Sequence, residues 1–231
     1  MTIFLDITSC ARRAVGIGAL TALAACATVR SRDAGLPPPP SPPAMGAPGT
    51  ASGWRKVATV ADRQRLRDWR RAWLSALNAA RRSDAPAIAE QGALFQPDLA
   101  LSDPVPPPGD YRCRAFKLGN QGGGGGAMPA FVAYPWFACR VGVSADGAAQ
   151  FVKLTGSQRH VGTIYASEPR RAVFLGSMML GDDARALPYG RDRERDIAAW
   201  VERVGPRRWR MAMPYPAFES TLDVLELVPA D

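Results

Sequence analysis

The chain's one histidine, His160, follows Ser157 by three positions in the stretch KLTGSQRHVGTIY, so nucleophilic catalysis is the first chemistry to weigh. A serine nucleophile needs an adjacent base, a third group that orients the base, and an oxyanion site. Ser157 is flanked by Thr155, Gly156, Gln158 and Arg159 and lacks the Gly-x-Ser-x-Gly elbow. In a tight hairpin His160 cannot easily turn back to Ser157, and a remote serine such as Ser177 or Ser220 would have to approach it instead. Gly156 and Ser157 supply turn chemistry, which places Gln158 and Arg159 at the exposed end of a polar hairpin. Ser157, Gln158, Arg159 and His160, together with Glu219 further along the chain, are therefore candidate ligand or partner contacts; no residue is assigned a catalytic role, and a hydrolase would be built from His160 or the acids around Glu219.

Glycosidic cleavage uses paired carboxylates, and FESTLDVLELV offers Glu219 and Asp223. They share a face with Thr221 if a strand begins that early. Acids in a strand are more often partners of arginines, and Arg208 and Arg210 are the natural neighbours here. Asp182 and Asp183 supply two more carboxylates without the regularly spaced oxygen ligands of a calcium loop. GGGGG lacks the lysine and the strand-to-helix setting of a phosphate loop and reads as a linker. No metal or cofactor is implied. Cys113 and Cys139, in the strand-like runs YRCRAF and WFACRV, cannot complete a zinc site with one distant histidine and form no Cys-x-x-Cys. A disulfide across neighbouring strands is expected.

Two kinds of element must position these residues. TVADRQRLRDWRRAWLSALNAARRS predicts a helix from about Val60, with Thr59 as cap and Asp62 in a capping-box arrangement. Leu66, Trp69, Trp73, Leu77 and Ala80 recur at spacings of three and four, which draws an apolar stripe along it. Arg63, Arg67 and Arg71 form a separate ridge. A solvated face accounts for that ridge, and contact with an anion is its functional reading. A second short helix, APAIAEQGALF, follows, with Asp84 as cap and Pro86 in its first turn.

From Pro104 onward the sequence breaks into short β-rich runs: YRCRAFKL, FVAYPWFACRVGV, QFVKLTG, HVGTIYA, RRAVFLGSMML, AAWVERV, RWRMAM and STLDVLELV. VGPRR joins two of them as a hairpin, although RDRERDIAAWVER also tolerates helical spacing, and RDRERD itself reads as a solvated loop. Consecutive strands without intervening helices demand a largely antiparallel sheet, and a sheet of this size closes or curls to hide its edges. The expected class is α+β: mainly antiparallel β, a small barrel or strongly curved sheet, preceded by an amphipathic N-terminal helix.

Ahead of this body, Arg12 and Arg13 precede the apolar run AVGIGALTALAAC. The run is too short to span a membrane and has the form of a secretory signal. Its last residues, Leu23, Ala24, Ala25 and Cys26, resemble the lipobox of bacterial lipoproteins, in which cleavage precedes an acylated cysteine. The expected organisation is a signal at 1–25, acylated Cys26 and a proline-rich tether at 26–53, and one globular domain at 54–231. That domain divides into a helical arm, 54–100, and a β-rich body, 101–231. By the same resemblance, Ala27 after the cysteine implies sorting to the outer membrane. The formal charge is +8, and the arm carries nine Arg/Lys against five Asp/Glu, a net +4. For an exported protein this favours anionic lipid, cell-wall polymer or an envelope protein as partner over nucleic acid.

Taken together and in order, WRKVATVADRQRLRDWRRAW, GDYRCR, YPWFACRV, KLTGSQR, ALPYGRDRERD, RWRMAMPYP and FESTLDVLELVP resemble a proteobacterial family catalogued as domain of unknown function 4893, over roughly residues 54 to 229. The resemblance implies one exported domain and brings no catalytic residues. In architecture alone, the strand count and lipid anchor also resemble calycin-like lipoprotein inhibitors and carriers, and fold does not imply function. The expected function is a non-catalytic binding or interaction module of the envelope; an envelope hydrolase or an inhibitor of an envelope enzyme is the alternative.

Overall fold

The computed structural model describes residues 53–121 and 129–230. The signal segment, Cys26, all of the tether but Gly53, and the GGGGG run lie outside the described residues. Three helices come first: α1 (Gly53–Val57), α2 (Val60–Arg67) and α3 (Trp69–Glu90), with a 3-10 turn at Gly92–Phe95. Eight strands follow: β1 (Gly109–Leu118), β2 (Phe131–Val143), β3 (Ala149–Lys153), β4 (Arg159–Glu168), β5 (Arg171–Met179), β6 (Asp196–Gly205), β7 (Arg208–Pro214) and β8 (Leu222–Pro229). They form a closed barrel in sequence order, every neighbour antiparallel and β1 paired with β8. Closure leaves no free edge. AAWVERV is a strand, not a helix, because it pairs on both sides, with β5 and β7. The stretch RDRERD is only partly a solvated loop, since Asp196 is buried at the start of β6.

Alternation along the strands sorts two cores. Cys113, Phe151, Phe174, Ala199, Met211 and Leu225 face inward, so the lumen is filled with side chains. Cys113 and Cys139 are bonded there, with Cα atoms 5.9 Å apart. Outward, Phe116, Leu118, Ala212 and Val224 pack under Trp73, Leu77 and Ala80 of α3, while Val173, Leu175 and Trp200 pack under Trp54 and Leu66. Gly162 and Gly176 stand opposite each other in β4 and β5, and a Cβ on either would collide with the facing backbone. Their bareness lets the two strand backbones approach closely.

Thr59 caps α2 as its sequence requires, its hydroxyl accepting from the Asp62 N–H at 3.1 Å. The expected single helix is nevertheless broken at Asp68 (φ −83°, ψ 7°). Trp200 is the physical reason: its indole N–H donates to the Leu66 carbonyl at 3.0 Å, and a side chain inserted into the ladder bends a helix. The bend lets one stripe follow the cylinder, Leu66 serving one core cluster, Trp73 the other, and Trp69 touching both. A second kink falls at Asp84 (φ −154°, ψ 81°), whose carboxylate accepts from the Ala87 N–H at 3.0 Å. That is the cap expected for the second short helix.

Candidate functional site

The two barrel ends differ. Tight connections join β2 to β3, β4 to β5 and β6 to β7 at one end, where Tyr111 and Trp209 close the lumen in edge-to-face contact. The longer connections, β1–β2, β5–β6 and β7–β8, lie at the other end together with the TGSQ turn between β3 and β4. Binding groups are disproportionately carried on such loops over a rigid scaffold. At this mouth the inward face of the strands changes from apolar to polar.

Lys117, in β1, continues the inward series of Cys113 and Ala115 and stands opposite Asp223 of β8. Its ammonium lies 3.3 Å from Asp223 Oδ2 and 3.0 Å from Glu219 Oε2. Lys153, at the end of β3, is buried without a carboxylate partner among the described residues. Its Nζ donates to the carbonyls of Thr155 (2.9 Å) and Gln158 (2.8 Å) and sits 3.6 Å from the centroid of Phe137. His160, inward on β4, is 7% exposed, and its Nδ1 has no partner among the described residues. A cleft of about 190 Å³ is lined by these groups and by Tyr134, Phe137, Met213 and Ser157. A second space of about 30 Å³, reaching Met178, Ile197 and Phe218, shares Lys117, His160 and Asp223 with it.

The charges shape one another. Burial would lower the Lys117 pKa, but Asp223 and Glu219 outweigh burial and raise it above the ordinary lysine value. Burial and the nearby Arg159 lower Lys153 to about 8. Burial, followed by the positive charges of Lys153 and Lys117, lowers His160 to about 3, so the imidazole is neutral at physiological pH. Burial also raises Asp223, with Lys117 and the Ser220 hydroxyl pulling the other way. A neutral imidazole, one shared ammonium and one cation without a carboxylate can hold the polar head of a ligand whose body rests on Phe137 and Met213.

The residues singled out by sequence fare unequally. Ser157 and His160 line one cleft, and Gln158 joins them. Arg159 does not sit at the exposed tip: it is the first residue of β4, half-buried, and donates to the carbonyls of Leu180 (2.8 Å) and Asp183 (3.3 Å). Glu219 precedes β8 with φ 69°, so no strand face unites it with Asp223; Lys117 does. Nor do these acids meet Arg208 and Arg210, which take Glu226 and Glu202. Asp183 is held by Arg195 and the Leu180 N–H. Arg63, Arg67 and Arg71 line neither cleft of the mouth: Arg63 donates to the Arg55 and Ala58 carbonyls, Arg67 to Gln64, and Arg71 pairs with Asp68 and reaches Tyr215 of the β7–β8 loop. Among the described residues no cluster of three or more His, Cys, Asp or Glu can hold a metal ion.

The family model described as "Domain of unknown function (DUF4893)" matches residues 54–227. The chain belongs to this family. The matched span of the DUF4893 domain runs from α1 into β8, so it includes every residue of the mouth. No curated protein and no solved structure matches the chain.

Sequence reading missed Lys117 and Lys153. A signal for them exists: the chain has three lysines among 29 basic residues, and two of the three enter the barrel. An ammonium is a compact point charge on a flexible stem, where a guanidinium is a planar fork, so this choice in an arginine-rich chain marks a narrow polar site.

Proposed function

We propose that the protein is a non-catalytic binding module of the cell envelope, attached to the periplasmic face of the outer membrane through acylated Cys26, with the barrel mouth as its ligand or partner site. The mouth carries this reading: buried lysines and a neutral histidine surround a cleft between an apolar lumen and long loops. Support for export comes from the LAAC motif at 23–26 and from the Cys113–Cys139 bond, since disulfides persist in oxidising compartments. Several acyl chains on one cysteine hold a protein at a membrane without help from its fold, and no helix among the described residues is long and apolar enough to cross one.

Hydrolysis is less well supported. A triad orients its histidine by a carboxylate on Nδ1, the atom of His160 that has no partner among the described residues. An imidazole held near pKa 3 is also a poor base at neutral pH. The proposal is tested by native mass spectrometry of the full chain released gently from its host's membranes, together with palmitate labelling. Added ligand or protein mass, and labelling abolished by Cys26→Ser, are expected. A bare chain mass refutes the binding reading, and labelling that survives Cys26→Ser refutes the anchor.

A further inference from the structure

Glu219 reaches Lys117 from the β7–β8 loop, not from a strand. Its φ is 69°, and that of Tyr215 in the same loop is 48°, a left-handed conformation that residues other than glycine adopt only under outside constraint. The Glu219 side chain remains 42% exposed, against 14% for Asp223 and 10% for Lys117. Lys117 thus has two unlike partners. Asp223 faces it across a ladder and cannot leave; Glu219 can swing into water.

The local charges make that difference consequential. Two ammonium groups, Lys117 and Lys153, face two carboxylates, Asp223 and Glu219, in one cleft. With Glu219 in solvent, one positive charge is unmatched, and a single negative charge restores the balance. His160 brings an independent demand. Its Nδ1 is buried without a partner, and buried polar atoms without partners are uncommon in folded proteins. The cleft is about 190 Å³, while a cavity of about 150 Å³ holds benzene. Phe137, Met213 and Ala115 give it apolar walls.

We propose that the mouth receives a small organic monocarboxylate with a ring-sized apolar body, whose carboxylate replaces that of Glu219 on Lys117 and accepts a hydrogen bond from His160 Nδ1. Glu219 is then a built-in occupant of the carboxylate position, displaced by the ligand. This rests on the mouth being the ligand site, and it adds the ligand's charge and size.

The test is calorimetric titration of the full chain at pH 7 with benzoate and with its uncharged counterpart, benzamide. Benzoate binds at least tenfold more tightly than benzamide. Glu219→Gln, a change on an exposed loop, removes the competing carboxylate and tightens benzoate by about fivefold, the equivalent of one partly exposed ion pair. Lys117→Met abolishes the preference for benzoate in protein whose circular dichroism is unchanged. Equal binding of the two probes, or weaker benzoate binding by Glu219→Gln, overturns the monocarboxylate inference and keeps the mouth as a binding site. Failure of both probes to bind wild type and Glu219→Gln, with a bare native mass, overturns both readings.

Discussion

Arg210 offers the sharpest test of how the arm is fixed to the barrel. It lies on the outer face of β7, fully buried, and its guanidinium takes Glu202 through Nε at 2.7 Å and Nη2 at 2.6 Å. Nη1 donates to the carbonyls of Leu94 (2.8 Å) and Gln96 (2.9 Å), and Nη2, besides its charge contact with Glu202, to those of Pro97 (3.2 Å) and Leu99 (3.0 Å). One side chain thereby satisfies the end of the 3-10 turn and clamps the segment that leads to β1. Breaking a buried pair by removing one partner costs about 3–5 kcal/mol. Glu202 keeps Arg171 at 2.7 Å, so Arg210→Met is expected at the lower end, about 3 kcal/mol, or roughly 6–12 °C in Tm for a domain of this size. Urea unfolding with an unchanged m-value measures the loss. Arg210→Lys should recover little, because an ammonium cannot span the same acceptors. Glu202→Gln combined with Arg210→Met should cost less than the two single changes added, since they share one interaction. A loss below about 1 kcal/mol for Arg210→Met would refute the claim that this network holds the arm.

Two further outcomes follow from buried groups inside the lumen. Cys113 and Cys139, 26 positions apart, close a loop whose entropy corresponds to about 3.5 kcal/mol; replacing both with alanine should lower the urea midpoint accordingly, and an unchanged midpoint would contradict it. His160, near pKa 3 when folded and about 6.5 unfolded, binds its proton more readily in the unfolded chain. Its neutral form therefore supports the fold fully above pH 6.5, and stability falls as pH drops from there toward 3, by up to about 1.4 kcal/mol per unit. Asp223, raised by burial, acts in the opposite sense at the acid end, so the comparison is between wild type and His160→Asn. The variant should show a shallower decline between pH 6.5 and 4, and parallel curves would refute the assignment.

The strands were legible because each apolar run ends in turn chemistry and each pairs with the next, so the order around the barrel repeats the order along the chain. The outer network was not. Alternation in RWRMAM separates Trp209, Met211 and Met213 from Arg208 and Arg210, but it does not tell whether the arginine face meets water or another layer. Here the arm covers it, and both faces of β7 are buried from Trp209 to Pro214. A strand covered on both sides loses the contrast on which a two-residue period depends. The helix break at Asp68 was illegible for a related reason, since its cause is an indole 134 residues away.

The mouth was half legible. Ser157 with His160, and Glu219 with Asp223, stand out in the sequence as pairs that could do chemistry together, whereas Lys117, the group that unites the two acids, has no such neighbour along the chain. The inward register of Cys113 and Ala115 decides its meaning. A cation that continues an apolar inward series must either reach the end of the barrel or find a counter-charge inside it, because an isolated buried charge is too costly to keep. Lys117 does both, one residue before β1 ends and opposite Asp223. Lys153, the last residue of β3, reaches the same end and meets carbonyls and a ring instead of an acid. The inward lysines thus occur at one end of the barrel only, the end proposed as the ligand site, and of the two carboxylates that meet Lys117 there, Glu219 is the more exposed.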